Sequence, residues 1–459
     1  MAEKKVINMN LEVLKKLYGE EEVIKKLSDP ESLPESIDKE DYVIGTYLLK
    51  TKRAWRIREL SKALAIEQST GTWIPVPGET PEVRMHYVAK VIGIYELPDY
   101  EIEVPEEVKE RSYVVRIAFP FINFGQQIPM MLSTVVGNIS LAGQIKVLDI
   151  EFPESYVKGF KGPKFGIEGV RNLLHVKERP LLLNMIKPCT GFPPEIGAKY
   201  FYEAARGGVD IIKDDELLAN AAFNKLEDRI VKYMEAADRA DSEKGEKTLY
   251  TINVTDTYPK IIENAEKVIE LGANALMVNV YTAGFPALQA LAEDESIKVP
   301  ILAHMDFAGT MYQSPLFGVT SPIILGKLPR LAGADMMIFP APYGKAFYMK
   351  EKAIKTGRVM TDIFYKLKPT FPAPSGGIAH PMVQDIINDF GKNVIIAAGG
   401  AIHGHSNGPT AGARAFRILI DAIMEGKSID QAAEENAEVA VAIEDMLKAI
   451  KELRKIVGE

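Results

Sequence analysis

Eight short apolar runs recur between residues 181 and 398: Leu181–Ile186, Val209–Ile212, Thr248–Val254, Ala275–Val280, Val299–Ala303, Met336–Phe339, Thr370–Ala373 and Val394–Ala398. Segments of helical pattern separate them, among them Pro194–Ala205, Lys260–Leu271 and Met382–Phe390. Parallel strands cannot be joined by tight turns, so each return needs a crossover, usually a helix. Eight such alternations over this length predict a closed (β/α)8 barrel, with a doubly wound open sheet as the alternative. No whole motif repeats along the chain, which speaks against a solenoid.

The chain before the barrel has a different texture. Residues 1–35 read as a charged helical extension ending in a Pro/Ser-rich joint at Pro30–Pro34. Strands are predicted at Tyr42–Leu49, His86–Ile92, Ser112–Ala118 and Ile145–Ile150, with helices at Ile57–Ile66 and Ile128–Val136. Strands mixed with segregated helices predict a small α+β unit over residues 36–160. A Gly/Pro-rich hinge, Gly159–Gly166, leads into the barrel (161–430), and a charged amphipathic helix occupies 431–459.

Composition narrows the function. A chain of 459 residues with 47% hydrophobic and 26% charged side chains builds a large globular core. A formal net charge of -8 disfavours nucleic acid as a partner. No apolar signal core opens the chain and no apolar run reaches membrane-span length. Cys189 is the only cysteine, so no intrachain disulfide forms and a reducing compartment fits. These features predict a cytoplasmic protein without membrane or nucleic-acid partners. Nothing in the sequence around Cys189 marks a stabilised thiolate, so it reads as inert.

In a barrel, chemistry gathers at the C-terminal strand ends. The second run ends in four charged residues, Lys213-Asp214-Asp215-Glu216. Strand alternation sends Lys213 and Asp215 to one face, with Glu216 just beyond. Carboxylate oxygens suit a hard cation such as Mg²⁺; a lysine ammonium beside them is a counter-ion unless CO₂ converts it to an anionic carbamate. Other strand ends carry Lys187, Asn253, Asn279, His304 and the loop Pro340–Lys345. Glycine-rich turns follow strands seven and eight, Ser375-Gly376-Gly377 and Gly399-Gly400, and read as a phosphate site of backbone N–H groups. The plain alternatives are tight turns for the glycines, solvated loop lysines for Lys187 and Lys345, and loop histidines for His380, His403 and His405. The His403/His405 spacing lacks the further ligands of a zinc site.

These motifs resemble the large-subunit family of ribulose-bisphosphate carboxylase/oxygenase, over about residues 40 to 430, and more closely its RuBisCO-like branch. The resemblance rests on Glu67–Trp73, Gly137-Asn138, Ile186–Pro188, Gly208–Glu216, Ser375–Gly377 and Gly399-Gly400. It implies a ferredoxin-like N-terminal domain on a (β/α)8 barrel. It also implies Mg²⁺ held by carbamylated Lys213, Asp215 and Glu216, with the carbamate and Lys187 as proton carriers. By the same resemblance the assembly is a homodimer, or a higher oligomer of dimers, in which Glu67, Thr72, Trp73 and Asn138 reach the partner's barrel. His304 matches the family's histidine after strand five, and Lys345 its mobile-loop lysine.

The departures from the carboxylase pattern bear on the substrate. Cys189 stands where a carboxylase has a second lysine, Met305 where it has a phosphate-gripping arginine, and Ile338 where it has a phosphate-binding histidine. Losing cations while keeping the glycine turns implies one substrate phosphate, with Met305, Ile338 and Phe339 suiting an uncharged or thioether tail. Phe119–Pro129, Phe339–Gly344 and His403–Gly408 are similar to the methionine-salvage enolase group acting on 2,3-diketo-5-methylthiopentyl-1-phosphate. That group carries its base lysine where Asn138 stands, and lacks Lys345. The expected function is Mg²⁺-dependent enolisation or isomerisation of a monophosphorylated ketose. The alternatives are ribulose-1,5-bisphosphate carboxylation and a non-catalytic binding protein.

Overall fold

The computed structural model describes residues 11–457 apart from Trp73 and Ala346, so the Trp73 expectation lies outside the described residues. The chain forms two compact units. One takes the chain up to Phe160 together with Gly309–Ile324, and the other takes Lys161–Ala308 and Leu325–Glu459.

The first unit is built on β1 (Tyr42–Lys52), β2 (Lys90–Leu97), β3 (Glu110–Pro120) and β4 (Gln144–Glu151). β1 lies between β3 and β4, antiparallel to both, and β2 pairs outside β3. Alternate residues of β1, such as Val43 and Tyr47, are fully buried. The Tyr47 hydroxyl donates to the Val135 carbonyl at 2.8 Å, which fixes the helix Ile128–Val135 against the sheet.

One predicted strand is displaced. His86 and Tyr87 end a helix, Pro81–Tyr87, and the strand begins at Lys90. The Thr80 side chain accepts from the Val83 N–H at 3.2 Å and Pro81 presets the first helical φ, so capping overrides the β-forming side chains that follow. The extension also docks. The helix Glu20–Ser28 packs on Pro81–Tyr87, and the buried Lys90 ammonium donates to the Leu27 and Asp29 carbonyls.

The second unit is a closed parallel barrel. Its strands are β5 (Leu181–Met185), β6 (Ile211–Lys213), β7 (Leu249–Asn253), β8 (Ala275–Asn279) and β9 (Ile301–His304), then β11 (Met336–Pro340), β12 (Phe371–Ser375) and β13 (Ile395–Ala398). The excursion between β9 and β11 carries β10 (Gly318–Val319), which joins the first unit parallel to β4. A two-residue strand has no alternation to read, so periodicity does not reveal it.

Inside the barrel, Leu181, Leu183, Ile211, Leu249, Met277, Leu302, Met336 and Ile338 form one buried cluster. Each such side chain contributes about 1.5–3 kcal/mol on leaving water. A packed interior confines the polar groups to the mouth. Among the described residues no helix is long and apolar enough to cross a membrane.

Candidate active site

β6 delivers its last residue, Lys213, fully buried at the barrel mouth. Lys213 Nζ donates to Glu216 Oε2 at 2.9 Å and to the Asp214 carbonyl at 2.8 Å. The intervening Asp214 turns the other way. Its carboxylate accepts from Arg229 Nε at 3.1 Å, the Tyr250 hydroxyl at 2.7 Å and the Asn253 N–H at 2.9 Å, all in the buried layer outside β6. β6 ends at Lys213, and the chain beyond it sends the Asp214 carboxylate to Arg229 and the Asp215 carboxylate to Lys187. Asn279 Nδ2 donates to the Glu216 carbonyl at 2.9 Å, so the end of β8 holds the segment that carries this carboxylate.

Lys187, two residues past β5, closes the cluster. Its Nζ donates to Asp215 Oδ2 at 2.7 Å and to Cys189 Sγ at 3.0 Å. Burial disfavours its charge, but these two partners hold it protonated above the ordinary lysine range. Cys189 therefore has an ammonium beside it, a contact across Pro188 that linear spacing does not reveal.

Burial, the largest single influence, raises the Glu216 carboxyl, but the Lys213 charge together with His304 and the hydrogen bonds to the carboxylate brings it down to about 2. His304 is opposite in character: burial first, then the Lys213 charge, pushes its imidazole down to about 3, so the ring is neutral. Its Nδ1 accepts from the Asp306 N–H at 3.1 Å, which leaves the proton on Nε2, 3.4 Å from Glu216 Oε2. That contact is a long neutral-donor contact and not an ion pair.

Lys187, Glu216 and His304 line a cavity of about 510 Å³, whose walls also include Ser375, Gly376, Gly377, Gly399, Gly400 and Lys345. Gly376 and Gly377 have φ of 102° and 84°, a region other residues avoid, and this turns their backbone back toward the mouth. The loop after β11 is pressed onto this turn. Lys345 N donates to the Gly376 carbonyl at 2.8 Å, and a Cβ on Gly344 would lie 1.8 Å from that oxygen.

Three apolar positions assigned to a substrate tail separate here. Met305 lines the cavity, Ile338 belongs to the barrel interior, and Phe339 is buried against the Phe390 ring at 5.7 Å. Consecutive residues inside a strand face opposite layers, so Ile338 and Phe339 cannot share one pocket. The loop-histidine reading also fails. His380 and His405 are buried in the cavity wall, and half-buried His403 reaches Asn184 Oδ1 at 3.0 Å. The last helix, Ala437–Val457, adds Ala442, Asp445, Met446 and Ala449 to the wall. Their i, i+3, i+4, i+7 spacing is one helical face, a signal visible in sequence but without an address.

Glu67, Thr72 and Asn138 belong to the first unit, Glu67 ending the helix Ile57–Glu67 and Asn138 opening a short turn. Among the described residues no three His, Cys, Asp or Glu side chains form a ready metal cage, and a carbamate on Lys213 would add a third oxygen donor beside Asp215 and Glu216. The charges fit that role. Two ammoniums, Lys187 and Lys213, now balance two carboxylates. A carbamate on Lys213 would leave three anions facing one lysine, and one divalent cation would restore neutrality.

Family models match both parts of the chain: the N-terminal domain of ribulose bisphosphate carboxylase large chain over residues 34–156, and its catalytic domain over 166–446. The chain is 60% identical to a ribulose bisphosphate carboxylase-like protein of Archaeoglobus fulgidus, over 92% of this chain and 96% of that one. It is 38% identical to the 2,3-diketo-5-methylthiopentyl-1-phosphate enolase of Geobacillus kaustophilus, over 88% and 97% respectively. Among solved structures it is similar to the dimeric archaeal Rubisco of Hyperthermus butylicus, with a TM-score of 0.82 at 31% identity, covering 91% of this chain and 98% of that one. With the barrel, the N-terminal sheet and both family models in agreement, the chain belongs to the RuBisCO large-chain family, and its relatives include RuBisCO-like proteins.

Proposed function

We propose that this chain is a Mg²⁺-dependent enolase or isomerase acting on a monophosphorylated ketose, with methylthio-pentulose phosphates as the candidate substrates. The observation that carries this reading is one cavity joining the Lys187–Glu216–His304 cluster to the two glycine turns. Asp215, Glu216 and a carbamylated Lys213 would hold Mg²⁺, which supplies Lewis-acid polarisation of a ketone and offsets enediolate charge.

The chain's own residues do the rest. The turns at Gly376-Gly377 and Gly399-Gly400 would bind the phosphate through backbone N–H groups, fixing the carbon to be deprotonated near Lys187. Lys187 carries a proton at Nζ and would exchange it with substrate carbon or oxygen. Neutral His304 offers an Nε2 proton toward the same space without adding positive charge. Met305, in the cavity wall, puts a thioether where the carboxylase pattern has a phosphate-gripping arginine. Similarity to the Geobacillus enolase supports enolisation as the reaction type. We further propose a homodimer in which Glu67, Thr72, Trp73 and Asn138 complete the partner's site, supported by the dimeric Rubisco relative.

A carboxylase reading retains one observation in its favour, Lys345 at the cavity. Two assays separate the readings: fixation of labelled CO₂ with ribulose 1,5-bisphosphate, and deuterium exchange into methylthio-pentulose monophosphates. Exchange without fixation is the expected result. Fixation at enzymic rates would establish the carboxylase instead, and neither activity in Mg²⁺-loaded protein would leave a binding protein.

A further inference from the structure

The helix Ala437–Val457 is fastened to the chain just after the second glycine turn. Asn436 Oδ1 starts it by accepting from the Glu438 and Val439 N–H groups at 3.0 and 3.2 Å. His405 Nδ1 accepts from the Asn407 N–H at 3.0 Å, so its Nε2 carries the proton and donates to the Glu438 carbonyl at 3.1 Å. Two helical turns further on, Asp445 Oδ2 accepts from the Ser406 N–H at 2.8 Å and Oδ1 from the Ser406 hydroxyl at 2.6 Å. Between Gly400 and these fastenings the chain makes a single helical turn, Gly400–His403, and Gly404 N donates back to the Gly400 carbonyl at 2.8 Å.

We propose that Asp445 is a positioning residue for the phosphate end of the substrate. Through Ser406 it fixes the segment Gly399–Ser406, so that the backbone N–H groups of the turn keep one orientation toward the cavity. The inference rests on the reading above that this turn binds phosphate. Both carboxylate oxygens are spent on Ser406, and Asp445 stands in the cavity wall without a substrate contact being required of it. Beyond β13 the segment is tied to the rest of the chain through His403 to Asn184 and His405 to the Glu438 carbonyl, and the paired bonds of Ser406 to Asp445 add a two-point fastening that narrows the orientations binding would have to select. Asn at this position can keep both bonds, its Oδ1 accepting from the Ser406 N–H and its Nδ2 donating to the hydroxyl oxygen.

The test uses full-length protein supplied with Mg²⁺ and bicarbonate. Inorganic phosphate binding is followed by ³¹P NMR, and KM and kcat are measured on a methylthio-pentulose monophosphate. Asp445→Ala and Ser406→Ala are expected to weaken phosphate binding and raise KM about tenfold, with kcat within about twofold, while Asp445→Asn stays close to the parent. Ser406→Ala carries the test if Asp445→Ala does not fold. Unchanged phosphate binding in both alanine variants would overturn the proposal while leaving the phosphate-turn reading intact. Tighter binding in Asp445→Ala and Asp445→Asn alike would also overturn it, because removal of charge and not loss of the fastening would then govern affinity. A parent protein that binds no phosphate would refute the phosphate-turn reading itself, and this proposal with it.

Discussion

Lys213 is a fully buried amine 2.9 Å from the Glu216 carboxylate, a counter-ion in this structure and the carbamate of the proposed function. Replacing it by Ala removes the third anchor of the proposed cation. Turnover should fall by at least about 10³-fold, the equivalent of several kcal/mol of lost charge stabilisation. The carbamate signal seen with ¹³C-bicarbonate should vanish in the same variant; turnover equal to the parent would exclude the metal–carbamate reading. Asp214, one position away, plays a different part. It pairs with Arg229 in the interior, neither residue lines the cavity, and Arg229→Leu leaves the carboxylate without its counter-ion. Urea denaturation should show a loss of about 3–5 kcal/mol. A loss below about 1 kcal/mol would mean that the Tyr250 and Asn253 hydrogen bonds suffice alone.

Among the elements, the loop after β11 and the turn after β12 work as a pair. Gly344 approaches the Gly376 carbonyl so closely that any side chain must push the two apart. Gly344→Ala should therefore raise KM for a phosphorylated substrate about tenfold, with a smaller change in kcat, since a misplaced anion turn weakens ground-state binding first. Steady-state kinetics decide it, and an unaltered KM would show that the turn does not touch the phosphate. The same sequence stretch shows how much was legible. The glycines at 376, 377, 399 and 400 mark turns by composition alone, and all four line the cavity. That Gly344 contacts one of them was not legible, because the contact joins loops of different strands.

For the whole molecule, the acid response follows from histidines kept neutral by burial. His380, donating from Nε2 to the Gly412 carbonyl at 3.0 Å and stacked on Phe416 at 3.8 Å, has its pKa pushed down to about 4 by desolvation. The unfolded chain binds that proton near pH 6.5, so its stabilising effect is complete above 6.5 and is lost as pH falls toward 4. The loss is about 3 kcal/mol for this group. Thermal unfolding midpoints measured from pH 7 to 4 should decline, and His380→Gln should decline less steeply. Parallel curves for the two proteins would mean that the ring protonates in the folded state at its ordinary pH.

The amino-acid order determined the alternating barrel, the charged end of β6 and the glycine turns, because each follows from local periodicity and neighbour spacing. The displaced strand at His86–Ile92 shows the limit of that reading, since a cap at Thr80 outweighed the propensities after it. Tertiary structure alone decided that Gly318–Val319 joins β4, that Lys187 bridges Asp215 and Cys189, and that Asp445 fastens Ser406. Such contacts join positions far apart along the chain or across a turn, and their energies depend on distances that exist only once the barrel has closed.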